Sequence, residues 1–452
     1  MKSADLNSIL ANIKANKKHF ALSSIIVIFG MAIRFFNLGN PQTYVFDETY
    51  YVKDAISLIQ NGSESGFFVH PELGKLLISL PMRFSSLDNS FLWRASAAIF
   101  GTICIALVTV LVKKVLCSWT FGNFAGFLFA IDGVAIVMSR VALLDIFLTA
   151  FVLAGVISVL YKKSFLAGVM FGLGCAVKWS ALYFLIFFFF YYLIKEKRQY
   201  FKNILFFTVV PFFVYLATWI PYLVNSKAAL GKNFFERLWV LADFHRQIYN
   251  FHANLTAAHS YSSSAWQWIT MSRPTAMYYN STLPDQMQCG GSASCVEEII
   301  SLGNLFIWWG GAVAILFLII SLFIPTFRRR LTSGKIIICL SGIAAGLIPW
   351  LPYPNRPTFQ FYSILILPFI ILSFVAVIHY FLLLNYDELY FNNNDFDSAL
   401  SLDRSYNKSI IMPLFIIGFL TFIVSIYFYP VWLSIPISYE KWRQIVFFPS
   451  WI

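Results

Sequence analysis

Residues 20–36 read FALSSIIVIFGMAIRFF, an apolar run with Arg34 as its one charged residue. At 1.5 Å per residue, a helix of that length spans most of the ~30 Å of bilayer hydrocarbon. Ten more such runs follow, near 92–112, 120–139, 142–160, 164–177, 180–194, 203–223, 304–325, 335–352, 359–384 and 409–429. The 452 residues are 59% hydrophobic and only 12% charged, too apolar for a water-soluble domain. The expectation is an all-α integral membrane protein, one polytopic domain over 1–452 with about eleven transmembrane helices, and not a β-barrel of short alternating strands. Residues 20–36 lack a small-residue cleavage site and end in Arg34-Phe35-Phe36, so they read as a retained anchor with the N-terminus in the cytoplasm.

Basic residues favour the cytoplasmic ends of membrane spans. Lys14, Lys17 and Lys18 precede the first run; Lys113 and Lys114, Lys162 and Lys163, then Lys195, Lys197, Arg198 and Lys202, and finally Arg328, Arg329 and Arg330 follow alternate later ones. The loop 385–408 departs from the pattern, being acidic and Asn-rich. This topology puts 37–91 and 224–303 on the external face. The formal net charge of +12 resides largely in the cytoplasmic collars, so it reflects topology and not a nucleic-acid partner. Cys104, Cys117, Cys175 and Cys339 read as packed thiols, whereas Cys289 and Cys295 lie in an external loop. A disulfide is expected there, with two free thiols as the alternative.

Both external segments are too long and too patterned for simple connectors. In 37–91, Tyr51–Gln60 and Glu72–Phe84 have helical spacing and are expected to lie along the membrane interface. The loop 224–303 is rich in aromatic and polar residues, including His245, His252, His259, Tyr261, Trp266 and Trp268. An aromatic belt is the simple reading of any one of these. Residues 430–452 read as a short aromatic external tail.

The external face collects groups able to do chemistry. Asp47-Glu48 follows the first span; a carboxylate there can act as general base, or can serve a helix N-terminus over Tyr51–Gln60. His70-Pro71-Glu72-Leu73-Gly74-Lys75 sets an imidazole and a phosphate-capable cation before a helix. Arg140 and Asp145, in SRVALLD, either line a polar cavity or pair with each other. Lys178 ends the short Gly-containing run GLGCAVKW, and Arg273 and Arg356 stand beside aromatics, as phosphate forks or as snorkelling side chains. Carboxylates suit activation of a hydroxyl, and cations suit an anionic leaving group. A sugar carried on a lipid phosphate needs both.

An ordered series of motifs over nearly the whole chain resembles the protein O-mannosyltransferases of the GT-C type: FDE at 46–48, HPELGK at 70–75, SRVALLD at 139–145, GLGCAVKW at 172–179, HSYSSSAWQW at 259–268 leading to SRP, CGGSASC at 289–295, SLGNLFIWW at 301–309 and RPTFQFY at 356–362. The chain looks like the bacterial, actinobacterial-type form, without the MIR domain of eukaryotic members. The resemblance implies a GT-C fold and an inverting transfer of mannose from polyprenyl-phosphate mannose to Ser or Thr of secreted or membrane proteins, met as they leave the secretion translocon. It implies a site on the outer face of the cell membrane, with no cofactor and no metal. Asp47 matches the family's catalytic acid position and is expected to be the base, with Glu48 positioning acceptor or sugar. His70, Lys75, Asp145, Arg140, Lys178, Arg273 and Arg356 are the expected substrate contacts, the last four as phosphate cradle. Glu72 stands where the family has a second proline, which leaves the role of His70 open. A GT-C enzyme sending a lipid-linked sugar to a glycolipid or polysaccharide, or a transporter or lipid flippase, are the alternatives. The second would show inverted repeats and broken mid-membrane helices.

Overall fold

The computed structural model describes residues 16–66, 68–195, 200–256, 258–282, 289, 294–331, 333–384 and 408–452. Lys14, Lys197, Arg198 and residues 385–407 of the acidic loop lie outside the described residues. Every one of the eleven apolar runs is helical, because apolar backbone away from water satisfies its N–H and C=O groups best within a helix. Among the described residues, four helices are long and apolar enough to cross a membrane: Lys17–Phe35, Ser90–Leu116, Tyr200–Asn225 and Lys408–Leu433. The rest are shorter or interrupted.

One interruption is built by a single acid. The run 120–139 is two helices, Trp119–Ile131 and Gly133–Met138, with Asp132 ending the first and capping the second through Ala135 N. The same buried carboxylate accepts from Asn304 N and Trp308 Nε1, each at 3.0 Å. Asn304 in turn caps Leu305–Ser321 and donates to Thr421 O and Ser425 Oγ at 2.8 Å. The SLGNLFIWW motif is thus a joint between four helices. The run 335–352 also changes character, from Ser333–Gly342 through a π turn at Ile343–Leu347 to a 3-10 turn at Ile348–Trp350.

The helix Ser90–Leu116 is the central post, two-thirds of its apolar window being buried, against 17% for Lys17–Phe35. Trp119–Ile131, Asp145–Leu160 and Lys17–Phe35 pack around it. Ser164–Val177 packs on Tyr200–Ala217 through Gly168 and Gly172, whose missing side chains let Phe206 O and the Pro211 backbone approach.

The loop 224–303 and the final segment depart from an all-α architecture. The large loop contains the helix Phe234–Asn254, opened by a capping box of Asn233 and Glu236, then a short helix Ala265–Thr270 and a hairpin. Strands β1, Thr275–Asn280, and β2, Cys295–Ser301, pair antiparallel, and β3, Ile437–Ser438, adds to β2 to give the order β1-β2-β3. Every residue of β2 is buried, so its sequence, CVEEIIS, shows no in-out alternation. Cys289 and Cys295 are joined at the connecting end of this hairpin, where β2 begins, Cα to Cα 5.8 Å. The final segment is likewise structured, with β3, the helix Tyr439–Ile445 and a 3-10 turn at Pro449–Trp451.

In the segment 37–91, the expected helices are Glu48–Asn61 and Leu73–Met82. Glu48, Tyr51, Val52, Asp54, Ala55 and Leu58 are buried, so the first is packed into the protein and does not merely float on the interface. Gly168→Leu should force the 200–217 helix away and destabilise the protein by about 1–3 kcal/mol. An unchanged thermal midpoint in detergent would contradict this packing.

Candidate active site

The site begins where the first apolar helix ends. Arg34-Phe35-Phe36 leads into a loop that returns to the bundle at Glu48, and Arg94, one turn inside the central post, is what catches it. Glu48 and Arg94 are fully buried. Arg94 Nε and one terminal nitrogen donate to the two Glu48 oxygens, both at 2.8 Å. The other guanidinium donors go to Leu38 O, Pro41 O and Thr43 O at 2.8–3.2 Å, which uses all five. Glu48 also accepts from Val45 N and Ala142 N, each at 2.8 Å. Its carboxylate is therefore saturated by the protein.

Asp47 is different. It is the N-cap residue of Glu48–Asn61, yet its side chain makes no capping hydrogen bond and none to another side chain among the described residues. Helix capping thus leaves its carboxylate unused. Partly buried, it has its pKa raised to about 6, mainly by burial; Lys178 opposes the rise and Asp145 adds to it. Phe46 before it has φ 51°, a conformation uncommon for a bulky residue. Edge-to-face contacts with Phe359 and Phe361, both at 5.5 Å, and with His259 hold it there.

Two cationic centres lie here, Lys178 near Asp47 and a second that shares with Asp47 the surroundings of Tyr362. Lys178, the residue that ends Ser164–Val177, donates to both Asp145 oxygens at 2.8 and 3.0 Å. Its ammonium lies 5.0 Å from the Tyr362 ring centre. Asp145 opens the helix Asp145–Leu160, so its charge also suits the helix N-terminus. The second centre is Arg356, stacked over Trp350 at 5.2 Å and donating to His252 Nδ1 at 2.9 Å. Arg356 Nε is buried without a hydrogen-bond partner among the described residues.

Between these centres sits His70, its ring 5.2 Å from that of His252 and 6.2 Å from that of Tyr51. Burial, then Lys178, His252, Lys75 and Arg356, hold its pKa well below the usual value, so it is neutral. His252 is held down at about 4 by burial and Arg356. Histidine here supplies hydrogen-bonding capacity and not charge.

Three expected substrate contacts lie elsewhere. Lys75 is fully buried and tied to Asp54 at 3.2 Å and Glu64 at 2.6 Å, with Asp54 also accepting from Ser65 N and Oγ. Arg140 donates to the carbonyls of Ile33, Arg34, Phe36 and Asn37 and so caps the first helix; Asp145, its partner on one of the two readings, pairs with Lys178 instead. Arg273 donates to Ser260 O, Ser450 O and Ile452 O while covering the Tyr261 ring, which fastens the last residues to the large loop. Lys75 meets buried carboxylates, and Arg140 and Arg273 meet backbone carbonyls, and these contacts take the charge. Glu72 is buried with both oxygens unbonded among the described residues, and burial and Glu64 raise its pKa to about 8.

Arg94, His252, Tyr51 and Tyr362 belong to the site and were not singled out for it from sequence. Arg94 had a readable signal, a lone ionisable residue near the start of a long apolar helix. His252 had a fainter one. It continues the buried face formed by Leu241, Phe244 and Ile248.

Residues 24–228 match the family model described as dolichyl-phosphate-mannose-protein mannosyltransferase, and residues 234–451 match that of the C-terminal four TMM region of protein-O-mannosyltransferase. The chain belongs to the protein O-mannosyltransferase family. It is 28% identical, over 96% of its length and 93% of the relative's, to the polyprenol-phosphate-mannose–protein mannosyltransferase of Mycolicibacterium smegmatis. The Corynebacterium glutamicum protein of the same name is 26% identical over 77% of this chain and 80% of its own. The fold is that of GT-C enzymes. The S. cerevisiae protein O-mannosyltransferase Pmt1-Pmt2 complex bound to the sugar donor aligns with a TM-score of 0.78, at 13% identity, over 96% of this chain and 93% of that one. ArnT from Cupriavidus metallidurans bound to undecaprenyl phosphate aligns at 0.56, with 12% identity, over 93% of this chain and 77% of that one.

Within this family member the acidic pair divides into one saturated carboxylate and one free one. Arg94→Ala strands the Glu48 charge and should destabilise the protein by about 3–5 kcal/mol. Glu48→Ala added to it should recover part of that loss in thermal unfolding. Equal unfolding of wild type and Arg94→Ala would refute the coupling.

Proposed function

We infer that the protein transfers mannose from polyprenyl-phosphate mannose to Ser or Thr hydroxyls of exported proteins, with inversion at the sugar. The observation that carries this is the free carboxylate of Asp47 set beside Lys178, with Arg356 near the Tyr362 that Asp47 also faces, on a chain whose relatives are named polyprenol-phosphate-mannose–protein mannosyltransferase. Asp47 takes the proton of the acceptor hydroxyl as its oxygen attacks the anomeric carbon. The bond from that carbon to the phosphate oxygen breaks, and the polyprenyl phosphate leaves with the electron pair. Arg356 and Lys178 face the charge that develops on it. Glu48 acts through Arg94 and the backbone, holding Asp47 in place and touching neither sugar nor acceptor.

A place for the prenyl chain supports the reading. A cavity of about 520 Å³ lies between the helix Ala181–Lys195 and the segment 337–349, lined by Tyr183, Ile186, Phe190, Ile194, Ile337 and Pro349. Pro349 adjoins Trp350, over which Arg356 stacks. A lipid tail in this groove brings its phosphate to Arg356.

The reading includes eleven crossings, a cytoplasmic N-terminus and a site on the outer face of the cell membrane, where acceptors emerge from the translocon. Basic collars such as Lys113-Lys114 and Lys162-Lys163 support that orientation. The reaction as drawn uses no resident cofactor or metal.

The test uses membranes, labelled polyprenyl-phosphate mannose and a Ser/Thr-rich peptide. Asp47→Asn should lower peptide labelling by at least about a hundredfold at unchanged protein level. Label moving to lipid and not to peptide would favour the glycolipid-directed alternative. The base must be ionised, so kcat/KM should rise with pH through about 6 and level off above it. A rate flat from pH 5 to 8 would remove Asp47 from the role.

A further inference from the structure

The helix Phe234–Asn254 reaches the site through two histidines seven residues apart, on its buried face. His245 donates from Nδ1 to Leu241 O at 2.7 Å and accepts at Nε2 from Tyr215 Oη at 2.6 Å. Tyr215 Oη in turn accepts from Trp179 Nε1 at 3.1 Å, next to Lys178. His252 lies 2.8 Å through Nε2 from Val69 O and 2.9 Å through Nδ1 from a terminal nitrogen of Arg356. A carbonyl oxygen only accepts and a guanidinium N–H only donates. The ring must therefore carry its proton on Nε2 and its lone pair on Nδ1, neutral with both nitrogens in use.

We propose that His252 is a positioning residue for the lipid-linked donor, tying Arg356 to the Val69-His70 backbone so that the free guanidinium donors meet the phosphate. The proposal rests on the reading of Arg356 as a phosphate contact. Arg356 Nε is buried with no acceptor among the described residues, a donor that a phosphate oxygen satisfies. Trp350 fixes the guanidinium plane, and His252 fixes its rotation in that plane. The neutrality of the acceptor matters. A carboxylate at 252 would orient Arg356 equally well but would cancel its charge, whereas imidazole leaves the full positive charge for the phosphate. Lys178, with Asp145 on its ammonium, has no such freedom. The long loop helix thus acts as a brace, setting one cation through His252 and the neighbour of the other through His245.

Steady-state kinetics on the full-length protein in detergent test this, with polyprenyl-phosphate mannose as donor, a Ser/Thr-rich peptide as acceptor and free polyprenyl phosphate as inhibitor. His252→Ala should raise the donor KM about tenfold and weaken the inhibition equally, with kcat within about twofold. His252→Asn, which keeps an acceptor near the Nδ1 position, should return both to within about twofold of wild type. His252→Asp keeps the acceptor and adds charge, and should raise KM about as much as alanine. In the Arg356→Ala background, His252→Ala should change neither constant further. A wild-type donor KM in His252→Ala, with a raised one in Arg356→Ala, would overturn the proposal alone. Unaltered KM and inhibition in Arg356→Ala would overturn the phosphate reading beneath it. Should the alanine variant not accumulate, the Asn and Asp variants decide, since equal KM values in the two refute the charge argument. A fall in thermal midpoint and kcat with KM untouched, unrescued by Asn, would reduce His252 to a structural residue.

Discussion

The Glu48–Arg94 ion pair is the contact on which the site depends. Both groups are out of water, where an unpaired charge is very costly, and every guanidinium donor and both carboxylate oxygens are engaged. Such a pair is a poor source of net stability, since desolvation offsets much of the Coulomb gain. What it supplies is geometry. Its hydrogen bonds draw the loop 38–45, the central helix and the corner at Ala142 to one point, and Asp47 is carried with them.

Two adjacent carboxylates have opposite fates because successive residues entering a helix project about 100° apart. With Glu48 turned inward to Arg94, Asp47 is turned out of the clamp and left without a hydrogen-bond partner for its carboxylate among the described residues. The strained Phe46 is the hinge that allows the turn, and the aromatic rings of the RPTFQFY motif hold it. The surrounding charges are managed in the same economical way. His70 and His252 are partly buried beside cations and stay neutral, so positive charge is concentrated on Arg356 and Lys178.

Behind His70 lies a second buried cluster, Asp54, Glu64, Glu72 and Lys75. One cation cannot balance three carboxylates away from water. Glu72, raised to about 8, holds a proton near neutrality instead, and Glu64, raised to about 7 beside Lys75, is divided between its two forms there. Lys75 therefore belongs to the foundation of the HPELGK loop. Glu72, where the family's usual motif has proline, enters that foundation as a neutral acid.

Residue order by itself determined the helices, since any long apolar run removed from water must satisfy its backbone within itself, and it marked Asp47-Glu48 as an unusual acidic pair just past a span, open to a base or a helix cap until the resemblance favoured Asp47 as base. It marked Lys178, Asp145, His70 and Arg356 as chemistry-bearing residues on one face. The partner of each charge was decided only by tertiary structure. Arg140 and Asp145 are five residues apart and do not meet, whereas Asp145 and Lys178 do; Lys75 found carboxylates and Arg273 found carbonyls. Arg94, His252 and the buried hairpin stayed hidden for the same reason. Local sequence records propensity and polarity, but which donor faces which acceptor depends on helices brought together from distant parts of the chain.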